Sequence, residues 1–225
     1  MSASSKNLIA KIKLEEKFRI YIHDAVKIRG TIQPITYRHI GDDLVIEDLM
    51  NWRNENIEAY TDHTPATLEG TRRWLAKFVL DNPSKVLFLV CPKDSKPMGH
   101  MGLANGLQKS GAMEMDNIVR GIKAGEKGLM TLALYDLITW VFVAIGVNRV
   151  YLRVFSDNAN AIKMYTKLNF VEKHRYPLLK SKGSGSTKFK ILDSSYKSGL
   201  YFSYMELSRT SHFSNYEKVK KTKRL

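Results

Sequence analysis

The chain has 225 residues, 44% of them hydrophobic, and a formal net charge of +14, which gives length and apolar mass enough for one good-sized core. Its single cysteine, Cys91, lies in the apolar run Val86 to Cys91 and reads as a packing residue, so a disulfide framework and a cysteine-based zinc site are excluded. No apolar run reaches the roughly 20 residues of a membrane span, and lysines interrupt the N-terminus before any signal-peptide-like stretch, so the expected setting is cytoplasmic and no membrane partner is expected.

In chain order, Lys17 to His23 and Thr31 to Tyr37 read as short strands separated by a loop at Ala25 to Gly30. Asp42 to Asn54 is helical, with Leu44, Ile46, Leu49, Met50 and Trp52 apolar. Thr67 is placed to cap a second helix whose apolar residues are Leu68, Trp74, Leu75, Phe78 and Val79, and Asn82-Pro83 stops it. Val86 to Val90 is a continuous apolar strand, turned at Lys93 to Pro97 into a partner, Met98 to Ala104. Ala112 to Val119 is a further strand, Gly128 to Ile145 the long central helix and Arg149 to Phe155 another strand. Asn158 caps a short helix, Ala159 to Leu168, and Asn169 suits the left-handed position that ends it, so a strand begins at once at Phe170. That strand runs to Leu178. Lys188 to Leu192 and Leu200 to Leu207 complete the set, with Lys182 to Ser186 a flexible loop. The expected organisation is an extension over 1–30 with an extra strand, one domain over 31–207, and a basic tail over 208–225.

The charge is uneven. Beyond residue 170, 13 Lys and Arg face 4 Asp and Glu, and the densest run, Lys218 to Arg224, reads as a solvated, frayed tail. A phosphate-rich ligand accounts for the remaining excess as well as RNA does. No RNA or DNA recognition module is visible, so nucleic acid is not an expected partner.

The spacing Asn158-x-x-Ala161-Ile162-x-x-Tyr165-x-x-x-Asn169-Phe170 resembles the second signature motif of the GCN5-related N-acetyltransferases, with Asn169 in place of the usual glycine. The order of elements is that of the same family from about Thr31 to Leu207. The resemblance implies a mixed α+β (α/β) fold: a central twisted, mostly antiparallel sheet with splayed central strands and helices on both faces. It implies acetyl-CoA (coenzyme A) as cofactor, with Tyr165 as the general acid that protonates the departing thiolate.

Between strand and central helix lies Arg120-Gly121-Ile122-Lys123-Ala124-Gly125-Glu126-Lys127-Gly128. Such a glycine- and lysine-rich loop feeding a helix N-terminus offers backbone N–H groups and a positive dipole end to a pyrophosphate. The family's Arg/Gln-x-x-Gly-x-Gly/Ala is matched by Arg120-Gly121 and then, after a longer loop, by Gly128-Leu129-Met130. By the same resemblance Asn117, Ile118 and Val119 flank the inserted pantetheine, and a backbone N–H there is worth about 3 kcal/mol as a donor to the thioester carbonyl. Lys127 and Asn158 complete the cofactor-binding set.

Attack by an amine needs a proton acceptor near the cleft. Glu114 and Asp116, on one face of their strand, are the catalytic candidates; ordinary solvent-facing strand residues are the alternative. His63, His100 and Arg53 are candidate acceptor contacts. Arg153 stands where family members that acetylate ribosomal-protein N-termini usually carry Glu. A fixed cation suits a phosphate or carboxylate on the acceptor, or else simply faces solvent. Trp52 to Asn56, Tyr151 to Asn158 and the Tyr201 to Leu207 strand look most similar to acetyltransferases of nucleotide-linked amino sugars. The expected acceptor is therefore a small-molecule amine on a nucleotide, as in polysaccharide biosynthesis. A protein N-terminus or other small amine is the alternative, and a non-catalytic nucleic-acid module the third reading. A homodimer is compatible with all of them, and no metal is expected.

Overall fold

The computed structural model describes residues 3–104, 111–123, 126–183 and 186–220. Helix α1 (Ala3–Ile12) precedes strands β1 (Ile20–His23) and β2 (Ile28–Pro34), then helices α2 (Asp43–Glu55) and α3 (Leu68–Trp74, continued by a π-helical turn to Leu80). Strands β3 (Val86–Pro92), β4 (Gly99–Ala104) and β5 (Ala112–Arg120) lead into α4 (Leu129–Trp140, with a π-helical end at Val141–Ile145). Then come β6 (Arg149–Phe155), α5 (Ala159–Lys167), β7 (Val171–Gly183), β8 (Ser186–Ile191) and β9 (Tyr201–Ser208). Two short helices close the order, α6 (Arg209–Phe213) and α7 (Tyr216–Lys220).

Among the described residues nine strands form one sheet in the order β1-β2-β3-β4-β5-β6-β9-β7-β8. Every neighbouring pair is antiparallel except β5 and β6. The continuous apolar run of β3 is explained by a sheet covered on both faces. Val86, Phe88 and Val90 join the large core under α4, with Leu134, Ile138 and Phe142, whereas Leu87, Leu89 and Cys91 join a second core with Ile46, Leu49, Trp52, Leu75 and Val79 of α2 and α3. Each face therefore has its own helices, and the mixed α+β architecture with a mostly antiparallel sheet is the one found.

Local signals act as the sequence suggests. Asp42 and Thr67 each accept a backbone N–H at the start of their helices. Asn169 holds φ of 66°, and the Phe170 N–H donates to the Tyr165 carbonyl at 3.0 Å, which turns α5 into β7.

Three differences have physical causes. The first strand starts at Ile20 rather than Lys17, because the Phe18 N–H closes a turn on the Glu15 carbonyl and the Phe18 ring packs edge-on against Trp140 at 5.6 Å. The second starts at Ile28, inside the expected loop, because its partner strand takes Ile28 into register with His23. Finally, Lys218 to Lys220 are not a solvated tail: α7 packs against the core, and Lys220, 3% exposed, pairs with Asp136 of α4 at 2.5 Å. Lys221 to Arg224 lie outside the described residues, as do Ser184 and Gly185 of the expected loop; its remaining residues are strand rather than loop, with Lys182 paired to Thr187 and Gly183 to Ser186 as β7 and β8 stay in register to their ends.

Candidate active site

β5 and β6 start side by side and then part. Their parallel pairing covers only Ala112 with Arg149, Met113 with Val150 and Glu114 with Tyr151. Beyond it a cavity of about 600 Å³ opens, walled by Met115 to Val119 on one strand and Leu152 to Phe155 on the other. Tyr165 lines it from α5, whose first turn is fixed by Asn158: its side-chain oxygen accepts the Ala161 N–H at 3.1 Å. The Tyr165 ring is 6% exposed, and among the described residues its hydroxyl makes no hydrogen bond. Burial, and then the Asp116 carboxylate, raise its pKa above the ordinary phenol value of 10.0, so the hydroxyl keeps its proton.

The two candidate carboxylates differ. Glu114 is 3% exposed, and its Oε1 accepts from Arg153 Nε at 2.8 Å and Nη2 at 2.7 Å, while the Tyr151 hydroxyl approaches Oε2 at 3.4 Å. It is therefore no solvent-facing residue, and Arg153 turns toward it rather than outward. Asp116 is one-third exposed, with Lys85 3.7 Å away. It accepts the Asn117 N–H at 2.9 Å and the Asn117 side-chain amide at 2.8 Å. Asn117 itself adopts φ of 49°, which a short polar side chain able to bond locally tolerates best.

His100 is 2% exposed, its Nδ1 lying 2.8 Å from the Asn117 carbonyl and its ring beside Trp52 at 6.0 Å. Burial lowers its pKa to about 4, so it is a neutral group. It lines a second cavity of about 370 Å³ with Arg53, Trp74 and Thr67, and Tyr60 and Asn117 border both cavities. Arg53 donates to the Asp62 carbonyl at 2.9 Å and lies 4.5 Å over the Tyr60 ring. His63 packs against Phe189 at 5.0 Å and lines neither cavity.

At the other end of the seam, the Arg120 guanidinium folds the loop back by donating to the Ile122 and Lys123 carbonyls at 3.1 and 2.9 Å. Gly121 is required by packing: a Cβ there would sit 2.2 Å from the Trp52 ring. Gly128 takes φ of 84° as the N-cap residue just before α4, whose first turn has no acidic side chain. Leu129 and Met130 are buried, so only their backbone faces that terminus, and Lys127 is exposed beside it. Ala124 and Gly125 lie outside the described residues. An uncapped positive helix end beside an open strand seam fits the phosphates and the extended arm of coenzyme A. A hollow of about 640 Å³ at the ends of β2 and β3 touches the Arg120 to Gly128 loop at Ile122 and Glu126, but none of the candidate cofactor, catalytic or acceptor residues lines it.

Sequence reasoning missed one wall of the cavity. β8 crosses it: the Phe189 N–H donates to the Thr61 carbonyl and the His63 N–H to the Thr187 carbonyl, each at 2.8 Å, with Lys188 and Asp62 paired at 3.4 Å. Phe189 and Lys190 of this roof, with Tyr60 below, line the cavity. Burial pushes the Tyr60 hydroxyl up to about 12. No local signal links residues 60–63 to 187–189, since the contact exists only once the sheet has formed.

Among the described residues no group of three or more His, Cys, Asp or Glu could hold a metal ion, and no helix is long and apolar enough to cross a membrane. The family model for the acetyltransferase (GNAT) domain matches residues 34–171. By sequence, no curated protein matches. Among solved structures, a GCN5-related N-acetyltransferase from Brucella melitensis superposes with TM-score 0.64 at 14% identity, over 92% of this chain and 86% of that one. Spermidine N-acetyltransferase from Vibrio cholerae, solved with CoA and spermine, gives 0.60 at 14%, over 82% and 98%. Apo FdhC, described as a nucleotide-linked sugar GNAT, gives 0.60 at 9%, over 88% and 95%. At these identities the likeness is one of fold.

Proposed function

Because the chain belongs to the GNAT family of acetyltransferases, which use acetyl-CoA, we propose that it acetylates the primary amine of a small, negatively charged acceptor, a nucleotide-linked amino sugar in the first instance. The observation that carries the reading is the buried Tyr165 at the point where β5 and β6 part, in one cavity with Asp116. When bound, acetyl-CoA supplies the activated acetyl group. The α4 N-terminus at Gly128 to Met130, with Lys127, would hold phosphate charge there, and the seam-facing backbone groups of Ile118 and Arg153, on the sides turned away from β4 and β9, offer partners to an extended chain. Asp116, reachable from solvent and already hydrogen-bonded, takes the amine proton. Tyr165 Oη holds the proton that a departing thiolate needs.

The acceptor class rests on charge. Glu114 is engaged by Arg153 and Asp116 is close to Lys85, which disfavours a polycationic amine. Lys190, by contrast, lines the cavity with no ion-pair partner among the described residues. The roof formed by β8 favours a small molecule over a protein N-terminus. Mass spectrometry of products from a panel of nucleotide-linked amino sugars, polyamines and N-terminal peptides tests this directly; acetylated peptide or polyamine alone would overturn it. Lys190→Ala should raise KM for a phosphorylated acceptor about 10- to 100-fold, the loss of a charge-assisted contact of about 1.5–3 kcal/mol, and leave KM for acetyl-CoA unchanged. An unaltered acceptor KM would remove Lys190 from the site.

Cofactor placement has its own test. Acetyl-CoA at a hundredfold over its Kd should stabilise the protein by about 2.7 kcal/mol. Gly128→Val puts a β-branched side chain at a left-handed residue where backbone must approach phosphate, and most of this ligand-dependent gain should vanish. The readout is the melting shift on adding acetyl-CoA to each protein, which subtracts any cost of the substitution itself. Equal shifts would place the phosphates elsewhere.

A further inference from the structure

We propose that His100 is a positioning residue of the acid–base machinery: by holding the Asn117 carbonyl it fixes the bulge in β5 that sets the Asp116 carboxylate in the cavity beside Tyr165. The inference rests on the reading of Asp116 and Tyr165 given above. It begins in the register of β4 against β5, where His100 pairs with Val119 but Gly102 pairs with Asp116, so β5 carries one extra residue over that step. This is a bulge, a device that re-aims a side chain. Its left-handed residue, Asn117, is held from both sides. Its N–H and amide bind the Asp116 carboxylate at 2.9 and 2.8 Å, and its carbonyl faces His100 Nδ1 at 2.8 Å.

A carbonyl oxygen only accepts, so His100 Nδ1 carries the hydrogen. The ring is buried against Trp52, which can come close because Gly121 has no side chain. A donor so fixed is ill suited to taking a proton from an acceptor amine, although His100 also borders the smaller cavity. Its geometry instead runs in one line from imidazole to bulge to carboxylate. Burial keeps the ring uncharged, which preserves the one-donor arrangement through the working pH range.

The test is a set of turnover measurements, with melting curves and KM for acetyl-CoA, on His100→Asn, His100→Gln, His100→Leu, Asp116→Asn and the His100→Leu/Asp116→Asn double variant. The Asn amide nitrogen can stand near the imidazole Nδ1 position; the Gln amide reaches one bond further. His100→Asn should therefore keep kcat within about threefold, whereas Gln and Leu should each lose about tenfold, with KM for acetyl-CoA changed less than twofold. In the Asp116→Asn background the Leu substitution should cost less than about twofold more, because its effect has already been removed. Should Leu fail to fold, the contrast between Asn and Gln carries the decision. Equal activity of Asn and Gln, a loss confined to KM, or full additivity with Asp116→Asn would each overturn the positioning role while leaving Asp116 in place. Wild-type turnover by Asp116→Asn alone would instead show that the carboxylate is not the base, and the proposal would fall with it.

Discussion

Tyr165→Phe should lower kcat by about 10²-fold or more while the fold and the affinity for acetyl-CoA survive. The substitution keeps a ring that is almost wholly buried against Phe170, at 5.9 Å between centroids, and removes only the hydroxyl. That hydroxyl faces the seam cavity and has no competing hydrogen bond among the described residues, so its loss leaves no orphaned partner in the protein. Burial and the Asp116 charge hold its pKa above the ordinary 10.0. An alkaline fall in kcat below about pH 10 should therefore not come from Tyr165 deprotonating. The defect should shrink with acyl donors whose thiolate leaves more readily, since these need less help from an acid. Turnover by the Phe variant at the wild-type rate would make Tyr165 a packing residue.

Arg153→Ala should destabilise the protein by about 2–3 kcal/mol, because it strips the guanidinium from a carboxylate that is 3% exposed. The figure sits below the usual cost of breaking a fully buried pair because the Arg153 side chain is 41% exposed. For a chain of this length the melting temperature should drop by roughly 5–10 °C. Glu114→Gln in the same protein should recover much of the loss, since a neutral amide needs no counter-charge. Two changes that each cost the same alone and together would mark the ion pair as idle, and would return Arg153 to the pool of acceptor-binding cations.

The sequence made the centre of the molecule legible because its signals there are local. A capping Asn158, the apolar repeat to Tyr165 and the left-handed Asn169 lie within one helix and its ends, and the structure uses all three. The run Val86 to Cys91 announced a strand with two buried faces. What stayed hidden depends on partners far away in the chain. Lys13 reads as one of several N-terminal charges, yet its ammonium donates to the Val79, Leu80 and Asn82 carbonyls at the end of α3, and only tertiary structure brings those acceptors together. Lys220 is legible as a tail residue until Asp136, the one acid in the longest apolar run, is seen beside it. Glu114 and Arg153 are similar: each was a candidate singly, but nothing local pairs neighbouring parallel strands. The bulge at Asn117 carries no glycine to advertise it.

The three residue pairs that join β5 to β6 also have a mechanical meaning. They make the sheet two plates, one of β1 to β5 and one of β6 to β9, riveted at a single end with α4 as the strap between them. A ligand laid into the gap acts as the missing stitch. The molecule should therefore stiffen across its full width on binding, and the seam-facing amide protons of Ile118 and Arg153 should be where exchange with solvent slows most.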